Sequence, residues 1–373
     1  MGTQKVENNS RMSSRMRYFL STGLLLTFFV LGCSSSFLKT DKDEELKKND
    51  EFEKMVQIVP SEEVKNGDVP PVPVQPPVPL PNNPDEKIVK AAKDKKPKKG
   101  TGKKTDKKQA AKEVPSRRQP LLESAEGFAP GVRRPLVSPF RDGEKVVHAV
   151  RYFKVSAGEL TMEVRPHKFV NGRKSYSFVT SLSSSSTFST FYSVDDWAET
   201  LVDYETLLPS VFTLHVKETG QLREGRAFFD QAKQKAKFWQ KKVTKKKGME
   251  EIDKEFDLPA YAQNVFSAAY YMRAFKYEVG KEVAFSVGDY EQNVVCKGKA
   301  LRKDVIETDA GTFNTIVVQP TFELKGVFKP VGDIFFWLTD DDRKFIVKIE
   351  SEIRIGTVVS EAVSLEKGDE NLP

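Results

Sequence analysis

Cysteine appears only twice in the 373 residues, at 33 and 296, and histidine only three times, at 148, 167 and 215. Two cysteines cannot build a disulfide framework, so the folded part must find its stability in a core. The histidines stand alone in their segments, with no HxH, HxxxH or HExxH spacing, and supply no zinc motif. There is no GxSxG elbow, no phosphate-binding glycine loop and no dinucleotide fingerprint, so neither a cofactor nor a metal is expected. Long apolar runs are equally scarce: the main one spans Phe19 to Leu31.

That run is about 20 Å long as a helix, too short for a hydrocarbon core roughly 30 Å thick. Arg11, Arg15 and Arg17 precede it, as in the n-region of a secretory signal. It ends in "VLGC", Val30 to Cys33, which resembles the bacterial lipobox. The resemblance implies a signal peptide over 1–32, cleavage before Cys33, and acylation of Cys33 by a diacylglyceryl group and a further chain such as palmitate. Two or three chains suffice for stable anchoring, where one myristoyl chain is marginal. An ordinary signal with Val30 and Gly32 at the cleavage site is the alternative. Ser34 is not the Asp that resembles an inner-membrane retention signal, which points to the outer membrane, facing the periplasm.

Residues 33–138 read as a disordered tether. Its Pro-rich part, 69–84, holds eight prolines and favours extended polyproline II. Its Lys-rich part, 86–118, carries 14 Lys or Arg against 4 Asp or Glu. The chain as a whole is only +7, so the basic character belongs to this segment rather than to the folded body. In an exported protein a nucleic-acid partner is not expected. Anionic lipid head groups or acidic cell-wall polymers are the candidate partners, although a solvated spacer without a partner is the commoner case; a protein partner is not specified.

From 139 to 366 period-two alternation takes over, in runs such as "EKVVHAVRYFKV", "RKSYSFVTSLSSS", "FSTFYSV", "VFTLHVKE", "TFNTIVVQPTFEL" and "FIVKIESEIRI". Turn residues such as Asn171-Gly172, Thr219-Gly220 and Asp340 to Asp342 separate them, which implies antiparallel meanders. The fold class is mostly β: curved antiparallel sheets, barrel-like or two-halved, followed by a short tail, 367–373. One main helix is expected near 259–275, from Pro259 and the spacing of Tyr261, Val265, Ala268 and Met272.

The order "FRDGEKVVHAVRYFKVSAGEL", "DLPAYAQNVFSAAYYMRAF", "VIETDAGTFNTIVVQP" and "FFWLTDDDRKFIVKIESEIRI" resembles the family called domain of unknown function 3108. The similarity covers about 139–366, and "AGTF" followed by "WLTDDDRK" is its most specific part. The resemblance implies an exported, mostly β bacterial protein and leaves its activity open.

Candidate chemistry is thin. His148 and His215 read as tolerated strand residues, and Cys296 as a small buried hydrophobe. Asp340, Asp341 and Asp342 lack a calcium-loop pattern and suit a β-turn. Asp195 and Asp196 would point to opposite faces of a strand, against a paired-carboxylate glycosidase. An enzyme would need distant residues brought together, such as His148 with Asp195 or Asp341. The expectation is therefore a lipid-anchored envelope protein that binds or scaffolds without catalysis. The alternative is a carrier or sensor of a hydrophobic ligand such as a lipid, since curved sheets can enclose a cavity. Tyr192, Trp197, Tyr261, Phe336 and Trp337 are the candidate ligand-lining residues.

Overall fold

The computed structural model describes residues 46–61, 123–129, 131–290, 292–324, 327–329, 333–353 and 355–369. Cys33, the Pro-rich segment and the Lys-rich segment lie outside the described residues. Among those described, one antiparallel sheet of sixteen strands dominates.

The chain enters as α1 (Asp50–Met55), capped by the Asn49 side chain, and β1 (Ile58–Pro60). Then come β2 (Glu144–Tyr152), β3 (Val155–Val170), β4 (Arg173–Ser184), a one-turn helix α2 (Ser186–Ser189), β5 (Asp195–Asp203) and β6 (Pro209–Glu218). β7 (Gln221–Asp230), β8 (Lys235–Thr244) and β9 (Gly248–Asp257) complete a run of hairpins. After α3 (Val265–Met272) follow β10 (Glu282–Gly288), β11 (Asn293–Thr308), β12 (Gly311–Leu324), β13 (Val327–Lys329), β14 (Ile334–Thr339), β15 (Ile346–Glu352) and β16 (Thr357–Lys367).

The main order runs from β10 through β11, β12, β14, β15, β16, β2 and β3 to β9, so the last strand pairs with the first long one and joins both halves into one sheet. The two edges, β9 and β10, share no ladder, and the sheet is curled but not closed. Its ends nevertheless meet, through Phe238 stacked on Tyr290 at 4.6 Å and the Asn293 amide donating to the Asp257 carbonyl at 2.9 Å. β9 is largely exposed and six of its ten residues are charged, a composition that discourages edge-to-edge pairing.

α3 fills the interior. Tyr270 stacks on Phe178 at 4.4 Å, and Phe266 on Phe212 at 5.3 Å. The helix is shorter than the expected 259–275 for a local reason. Asn264 and Ser267 form a capping box that starts it at Val265, and Tyr261 sits at φ +61°, outside helical space. Arg273 follows the helix and pairs with buried Glu144 at 2.6 Å.

Two stretches expected within the tether belong instead to the body. Phe52 is only 4 % exposed and sits edge-on to Trp239 at 5.8 Å, closing an apolar cluster with Val56, Leu201 and Val211 on the outer face of β5 to β8. β1 adds to β3 with Val59 opposite Phe169. Residues 123–129 and 131–138 are likewise pinned, by Phe128 in the core and by the Arg133–Glu123 ion pair at 3.0 Å with both side chains buried. A few well-placed apolar or paired groups suffice to dock a charged segment whose average composition hides them. The run "FSTFYSV", Phe188 to Val194, is likewise not the expected strand. β4 ends at Ser184, and the Ser185 hydroxyl then accepts from the Phe188 amide and starts α2.

Candidate functional site

Register assigns the faces of β2 to β8. Opposed pairs Val150–Gly158, Leu160–Leu182, Leu182–Asp196 and Leu214–Gly225 look inward, as does Gln240 opposite Gly225. The connections β2–β3, β4–β5, β6–β7, β8–β9 and β15–β16 all fall at one end of the curled sheet, which forms an upper rim.

Just below that rim is a cavity of about 70 Å³. One water needs about 10–15 Å³ on this scale, so the space suits a short alkyl segment. Val150, Leu160, Leu182, Phe188 and Val358 supply its apolar wall, and Tyr192 and Glu218 its polar side. Gly158 is required here, because a Cβ would lie 2.1 Å from the Ser183 carbonyl oxygen.

Beyond Glu218 the inner face turns ionic. The Tyr192 hydroxyl donates to Glu218 Oε2 at 2.6 Å, and the Gln221 amide donates to the same oxygen at 2.5 Å. Asp196, 2 % exposed, accepts from the Lys217 backbone amide at 2.9 Å through Oδ1, while its buried Oδ2 has no partner. Burial first, and then the Glu218 charge, push the Asp196 carboxyl up to about 7. The same burial and the same neighbour raise the Tyr192 hydroxyl, which stays protonated.

Arg223 and Lys242 face this pair from β7 and β8. Arg223 is buried, and neither side chain takes part in a hydrogen bond or ion pair. Burial lowers the pKa of both, and for Lys242 the Arg223 charge lowers it further. Three orphaned buried atoms, Asp196 Oδ2, Arg223 Nε and Gln240 Oε1, thus lie along one inner face. A buried cation outside any ion pair, as Arg223 is, is costly, and such a constellation is a functional-site signature.

Of the five aromatic residues proposed from the sequence, only Tyr192 reaches the cavity. Trp197 stacks on His215 at 5.8 Å on the outer face. Tyr261 lies under the Arg133 guanidinium at 4.5 Å. Phe336 packs against the main core, and Trp337 belongs to a separate cluster, where its indole donates to Asp304 at 3.2 Å. The sequence reasoning missed Glu218, Arg223 and Lys242. Their signal is present in hindsight: "VFTLHVKETGQLREG" places Glu218 and Arg223 at inward positions of an alternating pattern.

The other candidates settle into structural roles. His148, fully buried, lies between the carbonyls of Leu160 at 3.3 Å and Ile346 at 2.8 Å, and burial holds it neutral. It meets neither Asp195, which is exposed, nor Asp341, which accepts from Thr339 and the amides of Arg343 and Lys344 in a turn. Cys296 is buried, its thiol pushed up to about 12 by burial. His167 has an unforeseen partner, Asp142, at 2.5 Å from Nδ1, and its Nε2 is buried without one. Among the described residues no three His, Cys, Asp or Glu side chains gather as a metal-binding group, and no helix is long and apolar enough to cross a membrane.

The fold and this site define a class: a curled antiparallel sheet wrapped on a helix, with an apolar cavity under one rim. The family model described as "Protein of unknown function (DUF3108)" matches residues 147–363, more than half of the chain, and the protein belongs to that family. No curated protein matches it. Among solved structures, a β-barrel-like protein of domain of unknown function DUF1849 from Brucella abortus overlaps with a TM-score of 0.37 at 12% identity, covering 60% of this chain and 96% of that one. A presumed lipoprotein from Parabacteroides distasonis gives 0.24 at 10% identity, over 60% and 95%. A presumed exported protein with a YmcC-like fold from Bacteroides fragilis gives 0.27 at 9% identity, over 61% and 97%. Overlap at this level transfers no function.

Proposed function

We propose that the protein is a cell-envelope lipoprotein, anchored through acylated Cys33 in the outer membrane and facing the periplasm, that acts by binding rather than catalysis. Its ligand is an amphiphile with a short alkyl segment and an anionic head. The observation that carries this reading is the apolar cavity beside buried Arg223 and half-buried Lys242, neither of which is held in a hydrogen bond or ion pair. The alkyl part occupies the space between Leu160, Leu182 and Phe188, and a carboxylate or phosphate passes Tyr192 towards Arg223. A filled interior would have favoured a purely structural role; a lined cavity favours a carrier or sensor. An enzymatic reading would start from the His167–Asp142 pair, which lies away from this cavity on the far part of β3 and has no nucleophile bonded to it.

Displacement of a fluorescent fatty acid by dodecanoate and by dodecanol tests the reading. Leu182→Trp fills the cavity and should abolish both. Arg223→Met should weaken dodecanoate roughly tenfold, the effect of one lost charged contact, and leave dodecanol unchanged. Undiminished dodecanoate binding by the Leu182→Trp protein would remove the cavity from the proposal.

A further inference from the structure

The rim above the cavity carries apolar side chains where turns ordinarily carry polar ones. Phe153 and Val155 in the β2–β3 hairpin are 63% and 61% exposed, Ile355 between β15 and β16 is 56% exposed, and Phe191 between α2 and β5 is 80% exposed. They belong to consecutive connections that touch. The Tyr152 hydroxyl donates to the Ile355 carbonyl at 2.7 Å, Phe153 lies over Gly356, and the Ser185 hydroxyl donates to the Ser156 carbonyl at 3.1 Å. Scattered single hydrophobes need no explanation, but a contiguous exposed group marks an interaction site.

The backbone at this point adds weight. The two loop residues of the β2–β3 hairpin, Phe153 and Lys154, have φ +47° and +64°, the left-handed pair required by a type I′ turn. The β3–β4 hairpin, at the opposite end of the sheet, has the same geometry, φ +47° and +80°, and fills it with Asn171 and Gly172, the residues that adopt it most readily. At the upper rim the strained choice of Phe and Lys projects an aromatic ring and a cation outward instead. Further round the rim, Lys245, Lys246 and Lys247 form the exposed β8–β9 turn. Asp195, Glu250 and Glu352 stand among these groups, with Glu250 paired to Lys247 at 3.3 Å.

We infer that this rim seats on an anionic lipid surface, with Phe153, Val155, Phe191 and Ile355 entering the head-group layer and the rim lysines meeting lipid phosphates. Aromatic and aliphatic tips flanked by lysine are the composition that partitions to such an interface. The seating places the cavity mouth against the leaflet, and it stands on the rim groups whether or not the cavity takes a ligand.

The test uses the full acylated chain on vesicles. Cys296 is buried, so a cysteine introduced by Thr190→Cys beside Phe191 accepts an environment-sensitive dye selectively; Lys233→Cys, in the β7–β8 turn at the other end, is the control. On vesicles with one part in three phosphatidylglycerol, the dye at 190 should shift to the blue and be quenched by a lipid-borne quencher, while the dye at 233 reports water. Adding Phe153→Ser and Ile355→Ser should reduce the quenching roughly tenfold. A dye at 190 as exposed to water as that at 233 overturns the inference. Equal quenching on pure phosphatidylcholine overturns its anionic part, and a shift that appears without vesicles as protein concentration rises assigns the rim to self-association instead. Fatty-acid displacement measured on the same variants separates the two readings, because rim substitutions leave the cavity wall intact.

Discussion

Tyr192, from the connection that follows α2, donates its phenolic hydrogen to Glu218 at the end of β6 across 2.6 Å, and so ties the rim to the ionic inner face. This one bond closes the polar side of the cavity, because both residues line it. Tyr192→Phe should cost about 1.5–3 kcal/mol, the range for a hydrogen bond to a charged group. The shift of the urea midpoint measures it, and a change below about 0.5 kcal/mol would mean that water replaces the hydroxyl.

Asp196 makes stability depend on pH in an unusual direction. Its folded pKa, about 7, lies above the ordinary 3.8, so the native state holds a proton that the unfolded chain has released. Its contribution is fully present below the unfolded value and is lost as pH rises through the folded one. Between pH 5 and pH 8 the wild-type protein should therefore lose on the order of 2–4 kcal/mol relative to Asp196→Asn. Parallel denaturation curves for the two proteins at both pH values provide the comparison.

Arg133 and Glu123 form a buried pair that also holds the Tyr271 hydroxyl, at 2.9 Å from the guanidinium. Arg133→Met should destabilise by about 3–5 kcal/mol, because it removes the guanidinium charge from beside a buried carboxylate. Adding Glu123→Gln should restore much of that loss. If the double variant is no more stable than the single one, the lost packing of Arg133 on Tyr261 is the larger effect.

Phe52→Ala should release α1 without unfolding the body. A buried Phe truncation costs about 3–5 kcal/mol, enough to undock a helix of six residues whose other ties to the sheet are the polar contacts of Glu51 with Lys237 and Trp239. Proteolysis near residue 50 and a change in Trp239 fluorescence should appear well below the main melting transition. A single cooperative transition in which both signals move together would show α1 to be part of the body's folding unit.

Cys296 should ignore thiol reagents until the protein unfolds, since burial pushes its pKa to about 12 and leaves almost no thiolate at neutral pH. Labelling at the rate of unfolding is the expected result; fast labelling in native buffer would reveal local opening of the β10–β11 hairpin.

The docking of α1 also bears on the proposed anchor at Cys33. Cys33 is only thirteen residues from Leu46, the first described residue, a reach of at most about 45 Å when fully extended. The Pro-rich and Lys-rich segments connect Ser61 to Glu123, both on the body, rather than joining the body to the membrane.

Alternation and turn residues were enough to read most strands, because each of those sheet faces is buried on one side and repeats with period two. β9 escaped notice because "GMEEIDKEFD" is an exposed edge with little apolar alternation, and α1 because two apolar groups, Phe52 and Val56, carry its docking. The helix was legible in type but not in extent, since its start depends on the Asn264 cap and the left-handed Tyr261.

By itself, then, the amino-acid order determined the mostly β body and its family, because those follow from local periodicity, turn chemistry and the order of the motifs. Only the tertiary structure decided which inward residues meet. Asp196, Glu218, Arg223 and Lys242 converge through strand register, and Phe153, Phe191 and Ile355 share a rim because the last strand closes onto the first long one. The pairing of β16 with β2, so far apart in sequence, is set by the summed register of the whole sheet, which no local pattern encodes.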